Sequence, residues 1–590
     1  MALSPVRQNR LPDGDIDFSL GVDSDSHVSM VDPGFLAWGF NIVTSGKQVG
    51  TRPRYFDLIR LPDGRAQGFK IFTPTGSLPY LVAAVSGRIY VSQYPFNDYS
   101  MLTGIQFNPF VDHIMFKEAV QGVDQNQNTI DPVAVLMMQD GLSRPAYWDG
   151  ATARHLIPGG NTNETVLGFQ MEWIGGRLWV ARGNQIFASD IWNPLLFTET
   201  LYLAEGGSLQ TLDGKPVTAM ARTGDNKSLI VFTEENTTIV AASVTDRTQW
   251  KTTSGFLSIL FPGVGCVAMK SPCYSFGELH WYSREGARRF AQVAAELQSA
   301  KNLVSSIEMH RSFENMSPVA SRACGFGFDI YCGFSVPSGD VLNRHTWVMD
   351  YSTQTQNESD SPPAWQGVWT GTFPVEWDSA VIAGKNRCFH LSQDPTGVRI
   401  WEAFVEDRNV ETDILCSVET RGYSFKEPLS WHSYKYTEFH LTGVLGNVKM
   451  TCEWRGDYGC WKKNMDLALC ALACRTLDCS VNPITDPLPQ NRFLKTQEFR
   501  PPCNTINGYN PFTEDICTYV QNRIRWTGIA GLLKIRAFAQ LREEASSGQC
   551  TQGDKNCKEF ICCDQEPNYV CTPHDRGYRY GSSNNSDGSI

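Results

Sequence analysis

MEWIGGRLWVARGNQIFASD, residues 171–190, alternates apolar strand, tight turn and aromatic strand, with turns at Gly175-Gly176 and Gly183-Asn184. β-Branched and aromatic runs bounded by Gly and Asn read as strands, and turns this short read as antiparallel hairpins. The same theme recurs on both sides. Tyr80–Ser92 reads YLVAAVSGRIYVS around Ser86-Gly87, and Val133–Gly150 reads VAVLMMQDGLSRPAYWDG around Asp140-Gly141. Ser228–Ser243 turns near Glu235-Asn236, Gly277–Gln292 turns at Glu285-Gly286, and Phe328–Tyr351 and Asp378–Phe404 look like two more copies. Turn centres fall near 87, 141, 176, 235, 286, 339 and 384. Spacings of about 50 residues match propeller blades. A single four-stranded blade cannot bury both faces, so blades stack around an axis. The expected fold is all-β: a β-propeller of six to eight blades followed by a small cysteine-rich β-sandwich. A long sandwich or an irregular fibre is the competing architecture.

Four segments follow. Residues 1–55 form an N-terminal arm, 56–410 the propeller, 411–545 a β-sandwich with a cysteine-rich insertion, and 546–590 a cysteine-rich tail. The arm carries strand signals at Phe40–Val43 and Gln48–Thr51, whose backbone groups need partners. It is expected to dock outside the propeller or to complete a terminal blade. One stretch breaks the strand pattern: Phe290, Val293, Leu297 and Val304 are near helical spacing, which predicts a short helix around Ala294–Met309. Tyr434–Trp454 reads as two strands around Gly443, and Tyr519–Leu541 as two around Gly528 and Gly531. The final GSSNNSDGSI is compositionally disordered.

The 590 residues carry 51 Lys plus Arg against 62 Asp plus Glu, a net charge of −11. That mild acidity argues against a general nucleic-acid binder and suits a channel wall that does not hold DNA phosphates. No apolar run approaches the roughly 18 residues of a membrane span. Met1–Asp13 has no apolar core, so a signal peptide is not expected.

The 18 cysteines begin only at Cys266, and twelve fall in the last quarter: Cys452, Cys460, Cys470, Cys474, Cys479, Cys503, Cys517, Cys550, Cys557, Cys562, Cys563 and Cys571. Such density belongs to oxidising compartments. A protein assembled in a bacterial cytoplasm and then released by lysis reconciles that density with the missing export signal. These twelve are candidate disulfide cysteines, some between neighbouring chains. Zinc is the alternative, because Cys470, Cys474 and Cys479, or Cys557, Cys562 and Cys563, could converge on a tetrahedral ion. The leading expectation is no cofactor and no metal.

No GxSxG, HExxH or GxxxxGK[ST] motif is present, so no catalytic residue is assigned. The scattered histidines, His280 and His390 among them, read as strand residues. A propeller can still assemble carboxylates from separate blades at its axis without a local motif. Three converging there would favour an enzyme.

Trp38–Tyr55, WGFNIVTSGKQVGTRPRY, is the most specific stretch. It resembles the N-terminal arm of phage tail proteins, where an Asn, a Gly-centred turn and Arg-Pro-Gly follow in order; the matches are Asn41, Gly46, Arg52 and Pro53. Arg54 stands where that family has Gly. NQIFASDIWNPLLF (184–197), SLIVFTEENTTIV (228–240), HWYSREGARRF (280–290) and the following ELQSAKNLVSSI extend the likeness over roughly residues 35–310. These stretches are similar to the propeller-bearing nozzle or hub proteins (tail tubular protein B-like) below the portal of short-tailed phages, and to related neck proteins. The cysteine-rich C-terminal part departs from that pattern. The resemblance implies a non-enzymatic virion protein: a homo-oligomeric ring, expected to be a hexamer, that continues the portal channel, retains DNA, passes it during genome ejection and docks fibres. Its partners would be portal or adaptor proteins and fibres. A receptor-binding fibre or collar appendage, and a tail-borne polysaccharide depolymerase, are the alternatives.

Overall fold

The computed structural model describes residues 10–541 except 45–46, 125, 127, 157–164, 199–207, 251, 276, 292–300, 305–321, 338–340, 353–362, 406–410, 412, 429, 431, 458, 460, 471–494 and 500–515. The chain is all-β and its central part is a β-propeller. Six blades are separate four-stranded antiparallel sheets. Blade 1 comprises Ala66–Phe72, Tyr80–Val85, Arg88–Gln93 and Ser100–Met101. Blade 2 comprises Met115–Val123, Thr129–Gln139, Ala146–Trp148 and Ala153–His155. Blade 3 comprises Gln170–Ile174, Arg177–Arg182, Gln185–Ala188 and Ser208–Gln210. Blade 4 comprises Ala219–Arg222, Leu229–Phe232, Thr237–Val240 and Leu257–Phe261. Blade 5 comprises Cys273–Ser275, Glu278–Ser283, Gly286–Ala291 and Lys301–Val304. Blade 7 takes Pro374–Ile382, Lys385–Asp394 and Gly397–Val405, and its fourth strand is Arg54–Arg60 from the N-terminal side. Blade 6, built from Cys324–Phe328, Tyr331–Val336, His345–Asp350 and Ala364–Trp369, has the same four-strand order, but its outer edge runs on into a larger sheet.

The ring is held by apolar faces pressed between blades. Phe72, Val82, Ala84 and Ile89 of blade 1 pack with Leu136, Met138 and Trp148 of blade 2. Phe389 and Leu391 of blade 7 pack with Phe69, Ile71 and Leu81 of blade 1, which closes the circle. Backbone hydrogen bonding also closes the ring, since Ile59 on the incoming strand pairs with Ile400 on the outgoing one. Both sequence ends of the propeller are thereby tied into one sheet, leaving no long exposed edge at the seam.

The seven turn centres read from the sequence fall one to a blade, at one of two places within it. Five join the second and third strands. Those at Gly175-Gly176 and at Gly384 join the first and second. Blades 3 and 7 therefore start late relative to their marker turn, which is why the spacing from 141 to 176 is short. The helix expected around Ala294–Met309 is not found where the structure is described: Lys301–Val304 is the outer strand of blade 5, paired with Arg288–Ala291. Pairing to an existing edge supplies backbone hydrogen bonds that override a weak helical periodicity. The remaining residues of that stretch lie outside the described ones.

The arm does two things. Its last two residues begin the strand Arg54–Arg60 that completes blade 7, whereas Arg10–Asp15, Phe35–Phe40 and Val49–Thr51 enter the C-terminal sheet. There Val520–Leu541 pairs along almost its whole length with His432–Gly456. Each is one long strand rather than the two expected. Gly443, with φ +59°, does not turn the chain back; it sits among register shifts at Thr442, Leu445 and Lys449. Bulges of this kind bend a strand without ending it. Tyr434, Phe439, Trp454, Trp526 and Ile535 form the core of this region together with Leu36 and Val418. No helix among the described residues is long and apolar enough to cross a membrane.

Candidate functional site

The joint between propeller and C-terminal sheet gathers residues of the Trp38–Tyr55 stretch. Asn41 adopts a left-handed φ of 54°, which turns its side chain into the joint. Its Nδ2 donates to Thr370 Oγ1 (3.0 Å) and to the Leu415 carbonyl (2.9 Å), and its Oδ1 accepts from Thr370 N (2.7 Å). Arg52 is fully buried. Its Nε donates to Asn41 Oδ1 (3.1 Å), and its two terminal nitrogens form a fork with Glu411 at 2.9 and 2.7 Å. Further bonds run to the carbonyls of Thr370 (2.7 Å) and Pro53 (2.8 Å). Burial works against the Arg52 charge, but Tyr55 and Glu411 outweigh it and raise its pKa. Pro53 then directs the chain into blade 7. Gly46 lies outside the described residues. Asn41, Arg52 and Pro53 thus meet as a structural lock between blade 6, blade 7 and the C-terminal sheet.

The second candidate is the propeller axis, where a cavity of about 420 Å³ is lined by the first strands of the blades. An adjoining cavity of about 330 Å³ shares Lys70, Lys117, Glu172 and Arg222. Alternation along a strand puts residues two apart, such as Glu376 and Asp378, on the same face of a blade and neighbours such as Lys117 and Glu118 on opposite faces. Lys70, Lys117, Arg222 and Lys270 face Glu118, Glu172, Glu376 and Asp378, four cations against four carboxylates.

Most of these charges are committed to holding blades together. Asp378 accepts from Lys70 Nζ (2.8 Å) and from Ile71 N (2.7 Å). Glu376 accepts from Phe69 N (2.8 Å) and Lys270 Nζ (2.7 Å). Two carboxylates of blade 7 therefore satisfy edge N–H groups of blade 1 that no strand pairs. Lys117 of blade 2 bonds Glu172 of blade 3 at 2.7 Å. The Tyr274 hydroxyl of blade 5 accepts from Arg222 N of blade 4 (2.7 Å) and donates back to its carbonyl. Burial lowers the pKa of Lys70, but Asp378 reverses this and raises it. Burial raises the pKa of Glu376 against the pull of Lys270. Glu118 differs: its side chain is exposed and lines the adjoining cavity, and desolvation raises its pKa although Lys70 opposes this.

None of these axial residues was singled out from the sequence. The available signal was a charge inside an otherwise apolar first strand, as in Phe116-Lys117-Glu118-Ala119 and Val375-Glu376-Trp377-Asp378. His280 and His390 are fully buried strand residues. Tyr351 Oη lies 3.3 Å from His280, and His390 packs on Trp377 with ring centres 4.1 Å apart.

The candidate disulfide cysteines are only partly described. Cys452 is a buried free thiol facing the C-terminal core. Its strand is paired on both sides, opposite Met465 and Ile524, and this holds its side chain inward. Cys517 is buried opposite His432, and a Cβ on Gly456 would meet it at 2.7 Å. Cys470 ends the strand Lys462–Cys470. Cys460, Cys474, Cys479, Cys503, Cys550, Cys557, Cys562, Cys563 and Cys571 lie outside the described residues. Among the described residues no group of His, Cys, Asp and Glu is placed to hold a metal ion.

Fold and axis define a β-propeller whose N-terminal arm is woven into a C-terminal sheet. No protein family matches the chain, and no curated protein does. One solved structure similar to it is the extracellular domain of a putative one-component system from B. thetaiotaomicron, at 11% identity and a TM-score of 0.32. The match covers 74% of this chain and 59% of that one.

Proposed function

We propose that this protein is a structural component of a bacteriophage virion, part of the tail nozzle or neck below the portal. The observation that carries the reading is the Asn41–Arg52–Glu411 lock. The residues through which the sequence resembles phage nozzle proteins are spent on joining two bodies rigidly. A wall piece in a pressurised channel needs that rigidity. The axis supports the same reading, because its paired charges bridge blades and leave the wall close to neutral. Closed-ring symmetry would let identical chains bury matching faces around a DNA path, and the net charge of −11 would keep that path from holding phosphates. Portal or adaptor proteins and fibres are the partners this role requires. Native mass spectrometry of the purified chain tests it: a single closed oligomer, expected to be a hexamer, supports the nozzle. A trimer points instead to a receptor-binding fibre.

One observation favours a second reading, a polysaccharide depolymerase. Glu118 faces the axial cavity with a raised pKa, as a general acid needs, and Glu172 lies on the neighbouring inner strand. Release of reducing ends from capsular polysaccharide, abolished by Glu118→Gln, would establish that activity. No turnover is the result expected of a structural protein.

A further inference from the structure

Cys273, on the inner strand of blade 5, and Cys332, on the second strand of blade 6, bring their Sγ atoms to 3.7 Å. A disulfide bond is about 2.05 Å long, so an approach of about 1.7 Å joins them. The two residues are 59 apart in the chain and belong to different blades. Cys273 lines the axial cavity and keeps 8% of its surface exposed, whereas Cys332 behind it is fully buried. Two further buried thiols are engaged elsewhere: Cys266 Sγ lies 3.2 Å from the Ala268 carbonyl and 3.3 Å from Ser271 Oγ, and Cys324 Sγ lies 3.5 Å from the Pro374 carbonyl and 3.8 Å from Asn343 Nδ2.

We propose that Cys273 and Cys332 are a peroxide-oxidisable pair that forms a disulfide between blades 5 and 6, with Cys273 the thiol met first through the axial cavity and Cys332 the resolving thiol. The Cys273 thiolate attacks one oxygen of the peroxide. An S–O bond forms, the O–O bond breaks, and the departing oxygen leaves as water once protonated. The Cys332 sulfur then attacks the oxidised Cys273 sulfur. The S–S bond forms, the S–O bond breaks, and the released hydroxide takes the Cys332 proton as a second water. Two thiols and one peroxide give one disulfide and two waters. Burial, and the neighbouring Cys273, hold the Cys332 thiol far above its ordinary pKa, so it keeps its proton until that hydroxide removes it. A bridge here would close a long loop between two blades and so oppose their separation. The inference stands apart from the virion reading.

The test uses the full chain. The reduced protein is exposed to hydrogen peroxide, blocked with N-ethylmaleimide and digested with trypsin without reduction. The expected product is peptide 271–284 linked to peptide 323–344. The link should persist in Cys324→Ser and vanish in Cys332→Ser. Peroxide should also raise the melting temperature of the wild type by more than that of Cys273→Ser, which separates this bridge from any formed among the C-terminal cysteines. Recovery of both peptides fully alkylated, oxidation of Cys273 to sulfinic acid without a link, or a link that survives in Cys332→Ser would overturn the proposal.

Discussion

Arg52 is the side chain on which the joint depends. Its guanidinium is buried, and each of its nitrogens has a carbonyl, an amide oxygen or a carboxylate to bond. Arg52→Met keeps the volume but leaves Glu411 and Asn41 Oδ1 facing an apolar group. Breaking a buried pair this way costs about 3 kcal/mol, which urea denaturation should read as a lower midpoint. His390 gives a pH dependence. Burial depresses its pKa from 6.5 to about 3, and His280 behaves alike. A depressed histidine contributes stability that is complete above the unfolded pKa. That stability is lost as pH falls from 6.5 toward 3, because the unfolded chain takes up a proton the folded one refuses. Stability should fall by up to about 1.4 kcal/mol per pH unit for each histidine. His390→Phe, which preserves the packing on Trp377 and Tyr55, should flatten the fall between pH 6.5 and 4 by one proton's share. An unchanged slope would place the proton elsewhere. At this scale the sequence was informative only where residues are adjacent. Asn41, Arg52 and Pro53 could be read from one short stretch, but their partners Thr370 and Glu411 lie more than 300 residues away. The axial charges, drawn from blades 1 to 4 and 7 with Lys270 just ahead of blade 5, leave only one or two charged letters per strand.

Inner strands carry the propeller at the scale of elements. Gly327 in blade 6 lies so close to blade 5 that a Cβ on it would meet the Tyr274 carbonyl oxygen at 1.7 Å. Backbone cannot yield there as a flexible side chain would. Gly327→Ala should destabilise the protein by roughly 2–3 kcal/mol through overpacking, seen as a lower melting temperature. It should also loosen the interface that brings Cys273 to Cys332. The strands themselves were legible because hairpin turns and β-branched runs are local signals, as Ser86-Gly87 and Gly175-Gly176 show. What pairs with what was less so. Lys301–Val304 became a strand because blade 5 offers an edge to it, and the two long C-terminal strands stay continuous because bulges absorb Gly443. Neither outcome is decided within a window of ten or twenty residues.

Across the whole molecule, a closed propeller and a bent sheet share one N-terminal arm, so neither body can turn against the other without breaking the Arg52 lock and the Ile59–Ile400 seam. The closed architecture was legible from the repeat of about 50 residues. The weaving of the arm was not, because Arg10–Asp15 and its partner strand Val520–Leu541 stand at opposite ends of the chain. Rigidity on this scale suits a piece of a wall, and a wall of identical pieces must close. Electron microscopy of the purified full-length chain, with averaged views down the symmetry axis, tests the proposed virion role most directly. A closed ring with a central hole wide enough for duplex DNA is the predicted result, and isolated propellers or elongated trimers without a channel would contradict it.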